Sequence, residues 1–132
     1  MKILITGSRT WRNVELIRMV ITDCLSEATL AQEKLIIVHG NARGADQISD
    51  SIAKELGAIT VPMDPDWHAY GRSAGFIRNL EMLNVHKDIS RVYAFIARDG
   101  SLGTDDMIDR AKRKGIPVTI YRYDGKPPSE VR

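Results

Sequence analysis

Short apolar runs alternate with amphipathic segments of helical periodicity from residue 2 to residue 121. The apolar runs predict strands over residues 2–6, 35–38, 58–61, 91–96 and 116–121, and the nearly continuous run over residues 2–6 predicts a strand that is buried on both faces. The segments between them carry apolar residues at spacings of three and four, which predicts helices over residues 13–30, 45–56, 73–85 and 104–114. Strands that alternate with helices are joined by right-handed crossovers. The sequence therefore predicts an α/β fold, a single Rossmann-like three-layer domain with a five-stranded, mainly parallel sheet.

The length of 132 residues fits one domain, which we expect to span residues 1–123. Residues 124–132, with two adjacent prolines, are predicted to form a flexible C-terminal tail. Pro117 near the start of the last apolar run predicts that this strand lies at an edge of the sheet. The proline-containing stretch over residues 63–71 predicts a long loop.

Composition and charge exclude several classes of protein. The chain is 43% hydrophobic and 27% charged, which is typical of ordinary globular domains and not of disordered chains. A net charge of +2 is too small to predict a nucleic-acid or membrane partner. No apolar run approaches the length of a membrane span, about 18 residues. Cys24 is the only cysteine and no signal peptide is recognised, so a cytoplasmic location is expected.

Three glycine-containing loops follow the first, second and fourth predicted strands, over residues 7–11, 39–46 and 100–104. In parallel sheets the carboxyl ends of the strands share one edge, where ligands bind and helix N-termini present free N–H groups. Glycines allow the backbone to approach a ligand closely, and the hydroxyls of Ser8 and Ser101 add donors. A single loop of this kind is better explained by a tight turn, but the coincidence of three, each with a hydroxyl or an arginine, predicts a phosphate-binding site.

Five arginines lie in or just after the loops at this edge: Arg9, Arg12, Arg43, Arg72 and Arg98. Arginine binds phosphate or carboxylate through a planar, bidentate fork. A single arginine in a loop is ordinarily solvated or part of a surface ion pair. As a set, these side chains predict an anionic ligand.

The common nucleotide-binding fingerprints do not occur, neither the P-loop nor a Gly-x-Gly-x-x-Gly after the first strand, which argues against an ATPase or an ordinary dehydrogenase. His39, His68 and His86 lack a carboxylate or cysteine at ligand spacing, so no metal site is predicted. Trp67 and Tyr70 are candidates for stacking on a base, with packing of their loop onto the domain as the alternative.

The ordered motifs resemble the SLOG superfamily. They are Gly7-Ser-Arg-Thr-Trp11, His39-Gly-Asn-Ala-Arg-Gly-Ala-Asp46, Asp66-Trp67, Ile77-Arg78-Asn79 and Gly100-Ser-Leu-Gly-Thr104. The nearest branch is that of the small YspA-like or YpsA-related proteins, which are often found in phage and bacterial genomes. The resemblance implies a Rossmann-like domain that binds a nucleotide or nucleotide-derived ligand and requires no other cofactor. With the loop analysis, it predicts a set of ligand-binding residues: Gly7, Ser8, Arg9, Trp11, Gly40, Arg43, Gly44, Asp46, Arg78, Asn79, Gly100, Ser101, Gly103 and Thr104.

Lonely Guy phosphoribohydrolases, which belong to the same superfamily, cleave the base from a nucleoside 5′-monophosphate. Arg78 matches an arginine of these enzymes, and Gly100, Gly103 and Thr104 match their phosphate loop. Met107, however, stands where that loop carries its catalytic glutamate. Because a thioether cannot transfer a proton, the mechanism of those enzymes does not simply carry over. The resemblance leaves a sensor and an N-glycosidic-bond hydrolase as alternatives.

If the chain is an enzyme, the predicted catalytic residues are Arg78, Asp105 and Asp106. Arg78 would support the phosphate or the transition state. The two aspartates also suit the first turn of a helix, where carboxylates interact favourably with the helix dipole, so catalyst and cap are both open. Met107, one turn into this helix, either lies close to the phosphate loop or packs onto the sheet.

The DNA-processing protein A family, whose Rossmann domain binds single-stranded DNA, is similar at the Gly-Ser-Arg start and in the segment that ends at Asp46. The small net charge and the absence of a dense basic stripe argue against a groove for single-stranded DNA. DNA binding is therefore the alternative function, and a small-molecule nucleotide is the expected partner. No membrane partner is expected, and monomer and homo-oligomer are both left open.

Overall fold

The computed structural model describes residues 1–123 and 128–131. The alternating strands and helices form one sheet flanked by helices. The strands are β1 (Lys2–Gly7), β2 (Ile36–His39), β3 (Ile59–Pro62), β4 (Arg91–Ile96), β5 (Val118–Arg122) and β6 (Ser129–Val131). The helices are α1 (Val14–Leu30), α2 (Ala45–Leu56), α3 (Trp67–Tyr70), α4 (Ala74–Val85) and α5 (Leu102–Arg113), and a 3-10 turn covers Gly71–Ser73.

The strand order is β3-β2-β1-β4-β5-β6, with the first five strands parallel and β6 antiparallel to β5. In the register of the central strands, Leu4 is aligned with Val38 on one side and Val92 on the other. The order reverses between β1 and β4, and ligands of open α/β sheets bind at such a switch point. The predicted Rossmann-like α/β domain is confirmed.

Each face of the sheet carries its own apolar core. Ile3 and Ile5 of β1 pack with α1 and α2 on one face, whereas Leu4 packs with α4 and α5 on the other. Successive residues of a strand point to opposite faces, so a strand covered on both sides needs a continuous apolar run. In the described part of the chain, no helix is long and apolar enough to cross a bilayer.

The sheet has one strand more than predicted, because Ser129–Val131 pair with β5. The edge position predicted for β5 is therefore wrong, since β5 lies between β4 and β6. Pro117 precedes β5, so its missing N–H costs no bond within the strand, and its carbonyl accepts from the Val92 amide at 2.9 Å. Part of the predicted tail thus joins the sheet, while residues 124–127 and 132 lie outside the described residues. A strand of three residues is too short to show a periodicity in the sequence.

The loop predicted over residues 63–71 is wrong in its second part, which forms α3 and the start of the 3-10 turn. The side chain of Asp66 caps α3 by accepting from the amide of Ala69 at 3.0 Å. Pro65 precedes this cap, where a proline does not interrupt helical hydrogen bonds. The short helix carries Trp67 to the carboxyl edge of the sheet.

Candidate functional site

The loops that follow β1, β2 and β4 meet at the carboxyl edge of the sheet, and Ser8 holds them together. Its Oγ donates to the carbonyl of Gly100 at 3.1 Å and accepts from the amide of Ala97 at 3.0 Å. Its carbonyl accepts from the amide of Ala45, at the start of α2, at 3.3 Å. Ser8 is buried, so its hydroxyl braces the three loops and does not face a ligand.

Gly7 and Gly44 allow the first two loops to approach each other. A Cβ on Gly44 would lie 2.3 Å from the carbonyl oxygen of Ser8, and the φ of Gly44 is +78°. A Cβ on Gly7 would lie 2.4 Å from the Cβ of Ala45. No side chain fits at such distances, so these two glycines serve the packing of the loops that form the site.

A cleft of about 490 Å³ opens beside these loops, and its volume is in the range of small-molecule sites. It is bordered by α2, the segment from α3 to α4, and the first turn of α5. Of the predicted ligand-binding residues, those that line it are Gly7, Arg9, Arg43, Asp46, Arg78, Asn79, Gly100, Ser101, Gly103 and Thr104. Those that do not line it are Ser8, Trp11, Gly40 and Gly44.

The cleft is lined by four arginines, Arg9, Arg43, Arg72 and Arg78. All except Arg78 are exposed. The guanidinium carbon of Arg9 lies 5.8 Å from the ring centroid of Trp67, a cation–π distance. The arginine set predicted from the sequence is thus partly assembled around one cavity.

Trp11 of the predicted ligand-binding set, and Arg12 and Arg98 of the predicted arginine set, lie outside the cleft. Trp11 is 2% exposed and makes an edge-to-face contact with Phe95, with the ring centroids 5.3 Å apart. Arg12 lines a separate groove between α1 and α2. The guanidinium of Arg98 lies over the ring of Tyr123, 5.8 Å from its centroid. The indole of Trp11 therefore belongs to the apolar core, although its position next to a glycine-containing loop suggested a ligand contact.

Arg78 connects the loop after β2 with the segment after β3. Its Nη1 donates to the carbonyls of Gly40 at 2.5 Å and Met63 at 3.3 Å, and its Nε donates to Oδ1 of Asn79 at 3.1 Å. A Cβ on Gly40 would lie 2.5 Å from the Cζ of Arg78, so the glycine makes room for the guanidinium. Burial lowers the pKa of Arg78, but an arginine remains cationic in proteins. This fixed charge faces the cleft.

Asp46 is a buried carboxylate in the wall of the cleft, with 4% of its surface exposed. Its Oδ2 accepts from the amides of Gly40 and Ala42, both at 3.2 Å. Its Oδ1 accepts no hydrogen bond from any residue within 1–123 and 128–131. Burial raises the pKa of Asp46 to about 6, against the opposing effects of the Ala42 amide, His39, Arg78 and the Gly40 amide. A carboxylate perturbed in this way within a cleft is typical of a functional site.

His39 shapes the turn that leads into the second loop. Its Nδ1 accepts from the amide of Asn41 at 2.9 Å, which places the proton on Nε2. Nε2 then donates to Oδ1 of Asp50 at 2.8 Å. His39 is fully buried and does not line the cleft. In the portion of the chain that the structure covers, no three His, Cys, Asp or Glu side chains are grouped to hold a metal ion.

The first turn of α5 presents its backbone to the cleft. The Oγ of Ser101 caps the helix by accepting from the amide of Thr104 at 3.2 Å and from its hydroxyl at 3.0 Å. Outside α5 itself, no atom of the described residues lies within 4 Å of a Cβ built on Gly103, so the space in front of this turn is open. The N-terminal end of a helix carries a partial positive charge and favours an anion.

The predicted catalytic aspartates do not line the cleft. Asp105 is exposed on the first turn of α5. Oδ2 of Asp106 accepts from Nδ2 of Asn79 at 3.1 Å and from Nε of Arg110 at 2.8 Å. The same Asn79 amide donates to the carbonyl of Gly103 at 3.0 Å. Asp106 therefore positions Asn79, which ties α4 to the first turn of α5.

Met107 is fully buried and belongs to the apolar cluster of Leu4, Val92 and their neighbours. The sequence allowed this side chain to lie close to the phosphate loop or to pack onto the sheet, and in the structure it packs onto the sheet. Residue 107 does not line the cleft, although Gly103 and Thr104 of the same helix do.

Three exposed apolar side chains in the cleft wall were absent from the predicted ligand-binding set: Trp67, Phe76 and Leu102, which are 50%, 39% and 79% exposed. Sequence reasoning named Trp67 only as a stacking candidate. Phe76 lies off the buried stripe of α4 that contains Met82 and Leu83, and an aromatic residue off the stripe of a helix is a signal that could have identified it.

Comparison with known proteins identifies a matching family and a phage relative. A sequence model of the YspA, cpYpsA-related SLOG family matches residues 1–70. The Gene 61 protein of Mycobacterium phage D29 is 34% identical over 126 residues, which cover 91% of this chain and 95% of that protein. No solved structure matches the chain. The segment matched by the family model includes Arg9, Arg43 and Asp46 of the cleft wall.

Proposed function

This chain belongs to the YspA, cpYpsA-related SLOG family, and we propose that it binds a nucleotide or a nucleotide-derived phosphate ligand in the cleft. Membership of the family suggests a nucleotide-related ligand. The observation that carries the proposal is the composition of one cavity, which combines four arginines, a helix N-terminus and exposed aromatic rings.

The phosphate is proposed to lie at the first turn of α5. The open space at Gly103 lets an anion approach the backbone there, and the helix dipole favours negative charge at this end. Arg43 and Arg72 line the same cavity and are exposed, so their guanidinium groups are free to turn toward a phosphate. These groups support an anionic ligand more strongly than a neutral one.

The base is proposed to lie on Trp67 or Phe76. Both rings are partly exposed in the wall of the cleft, and aromatic faces stack on bases without selecting a particular one. The contact of Arg9 with Trp67 keeps a positive charge beside this ring. Together with the phosphate position, the rings suit a ligand of nucleotide size.

We propose a binding protein, with a sensor role, in preference to an N-glycosidic-bond hydrolase. Met107 is in the core, and the carboxylate of Asp106 is held by Asn79 and Arg110. Neither position therefore offers a free acid to a glycosidic bond in the cleft. Release of base from a nucleoside 5′-monophosphate would favour the hydrolase.

Calorimetry with nucleoside 5′-monophosphates and 5′-diphosphates tests the site. We expect Arg43→Ala to weaken binding by about tenfold to a hundredfold, because a hydrogen bond to a charged group contributes about 1.5–3 kcal/mol. Arg9→Ala is expected to weaken it as well. The matched control is Arg113→Ala, which removes an exposed arginine at the far end of α5 and should leave the affinity unchanged.

Two results would contradict this assignment. Equal affinity of the wild type, Arg9→Ala and Arg43→Ala would remove both arginines from the site. Absence of binding for every nucleotide tested, with a folded protein, would reject the proposed function itself.

A single-stranded oligonucleotide is expected to bind only weakly at physiological salt. A cavity of about 490 Å³ accommodates a small molecule, whereas strand binding needs an extended basic track with stacking aromatics. Fluorescence anisotropy over a salt series measures this, since contacts to a nucleic-acid backbone make affinity fall steeply with salt. Submicromolar affinity at physiological salt would make DNA binding the better interpretation.

A further inference from the structure

Asp46 has one carboxylate oxygen that the described residues leave without a hydrogen bond. Oδ2 is held by the amides of Gly40 and Ala42, which fixes the side chain, while Oδ1 has no donor. Buried polar atoms in native proteins are nearly always paired. An unpaired oxygen on a side chain that is 4% exposed and lines a cleft therefore points to a donor supplied from the cleft.

The charges around Asp46 do not satisfy this oxygen. Arg78 contributes a favourable electrostatic effect, but its Nη1 donates to the carbonyls of Gly40 and Met63 and its Nε to Asn79, so among the described residues these two atoms give Asp46 no hydrogen bond. His39 donates to Asp50 instead. Among the described residues, Asp46 therefore forms no ion pair with Arg78 or with His39, the two side chains whose charges affect its pKa.

The chemistry of a buried carboxylate limits what can lie against it. At neutral pH Asp46 is mostly ionised, since its pKa is about 6, and an ionised carboxylate accepts hydrogen bonds and repels phosphate. The first turn of α5 and the exposed arginines offer the phosphate a favourable place elsewhere in the cleft. Aromatic rings offer the base an apolar face. The donors that a nucleotide can bring to Asp46 are the hydroxyls of its sugar and the N–H groups on the edge of its base. Every ribonucleotide carries the sugar hydroxyls, whereas the N–H groups differ from one base to another.

We propose that Oδ1 of Asp46 accepts a hydrogen bond from a ribose hydroxyl of the bound nucleotide, which makes the cleft selective for ribonucleotides. This assignment rests on the proposed nucleotide site and specifies its ligand class. A deoxynucleotide leaves the buried oxygen unpaired in a cleft that the ligand has closed to water. Sites built to pair with a hydroxyl reject analogues that lack it for this reason.

The test compares each ribonucleoside 5′-monophosphate with its 2′-deoxy and 3′-deoxy forms by calorimetry. Wild-type protein is expected to bind the ribonucleotide about tenfold to a hundredfold more tightly than at least one of the deoxy forms. In Asp46→Asn, the amide oxygen still accepts from Gly40 and Ala42, but an NH₂ group replaces Oδ1. We expect this variant to lose the discrimination, mainly through weaker binding of the ribonucleotide.

Asp99→Asn is the matched control. Asp99 also lines the cleft, where its Oδ1 accepts from the hydroxyl of Thr10 at 2.7 Å. The control changes the charge of the cleft by the same amount, so it should alter all affinities together and keep the discrimination between ribose and deoxyribose. A loss of discrimination in both variants would overturn the assignment to Asp46.

The failures of the two proposals are distinguishable. Equal wild-type affinity for ribo- and deoxynucleotides, or discrimination retained in a folded Asp46→Asn, overturns the role of Asp46 and leaves the nucleotide site in place. If Asp46→Asn does not fold, the wild-type comparison alone decides. Absence of any nucleotide binding rejects both proposals.

Discussion

Met107→Glu is expected to lower the free energy of unfolding by about 3–5 kcal/mol. Met107 is fully buried in an apolar cluster with Leu4 and Val92, whose side chains offer a carboxylate neither a positive charge nor a hydrogen bond. The glutamate must be buried with its charge or protonated, and both cost free energy. Urea denaturation of the variant and the wild type at pH 7 measures the difference.

Met107→Leu is the matched control, because it keeps the volume and the apolar character. We expect it to cost less than about 1.5 kcal/mol. Chromatography of nucleoside monophosphate incubated with folded Met107→Glu is expected to show no added release of base. A variant as stable as the wild type that releases base would show that residue 107 faces the cleft.

Gly44→Ala is expected to lower the free energy of unfolding by roughly 3 kcal/mol or more and to weaken nucleotide binding. The added Cβ would lie 2.3 Å from the carbonyl oxygen of Ser8 and 2.6 Å from that of Arg9, and both are backbone atoms. The loops after β1 and β2 must then separate, which displaces Arg9 and Arg43. Denaturation and calorimetry on the same samples measure the two effects.

Gly115→Ala is the matched control, because it measures the cost of placing alanine at a positive φ without a steric clash of the added Cβ. Gly115 has a φ of +74°, close to the +78° of Gly44, but nothing lies within 4 Å of a Cβ built there. We expect this control to cost about 1–2 kcal/mol and to leave nucleotide affinity unchanged. Equal losses in the two variants would show that the approach of Gly44 to Ser8 contributes nothing.

Several features of the fold followed from local patterns in the sequence. The apolar runs identified β1 to β5, and the continuous run of β1 reflects burial on both faces, whereas the edge strand β3 is partly exposed. Spacings of three and four residues identified the four long helices, α1, α2, α4 and α5. The loops around Gly7, Gly44 and Gly100 were predicted to share an edge, because parallel strands end on the same side. These inferences need only periodicity and chain direction.

The sequences of β6 and α3 show neither an apolar run nor helical periodicity. Residues 129–131 become a strand only by pairing with β5 in the folded sheet, and α3 spans four residues. Elements this short are stabilised by their packing and not by their own periodicity. This is the reason that residues 63–71 and the chain end were predicted without regular structure.

Which site residues support the loops, pack in the core or face the cleft depended on contacts between segments that are distant in the sequence. The hydroxyl of Ser8 forms hydrogen bonds that join two loops. Gly103, in the glycine-containing loop after β4, borders open space instead. Met107 faces the core, and Asp46, which lines the cleft, has one oxygen that accepts no hydrogen bond from the described residues. A loop motif specifies which groups are near the edge of the sheet. Which of them face the cavity is decided by the packing of the loops against one another, because burial and hydrogen-bond partners come from residues far away in the chain.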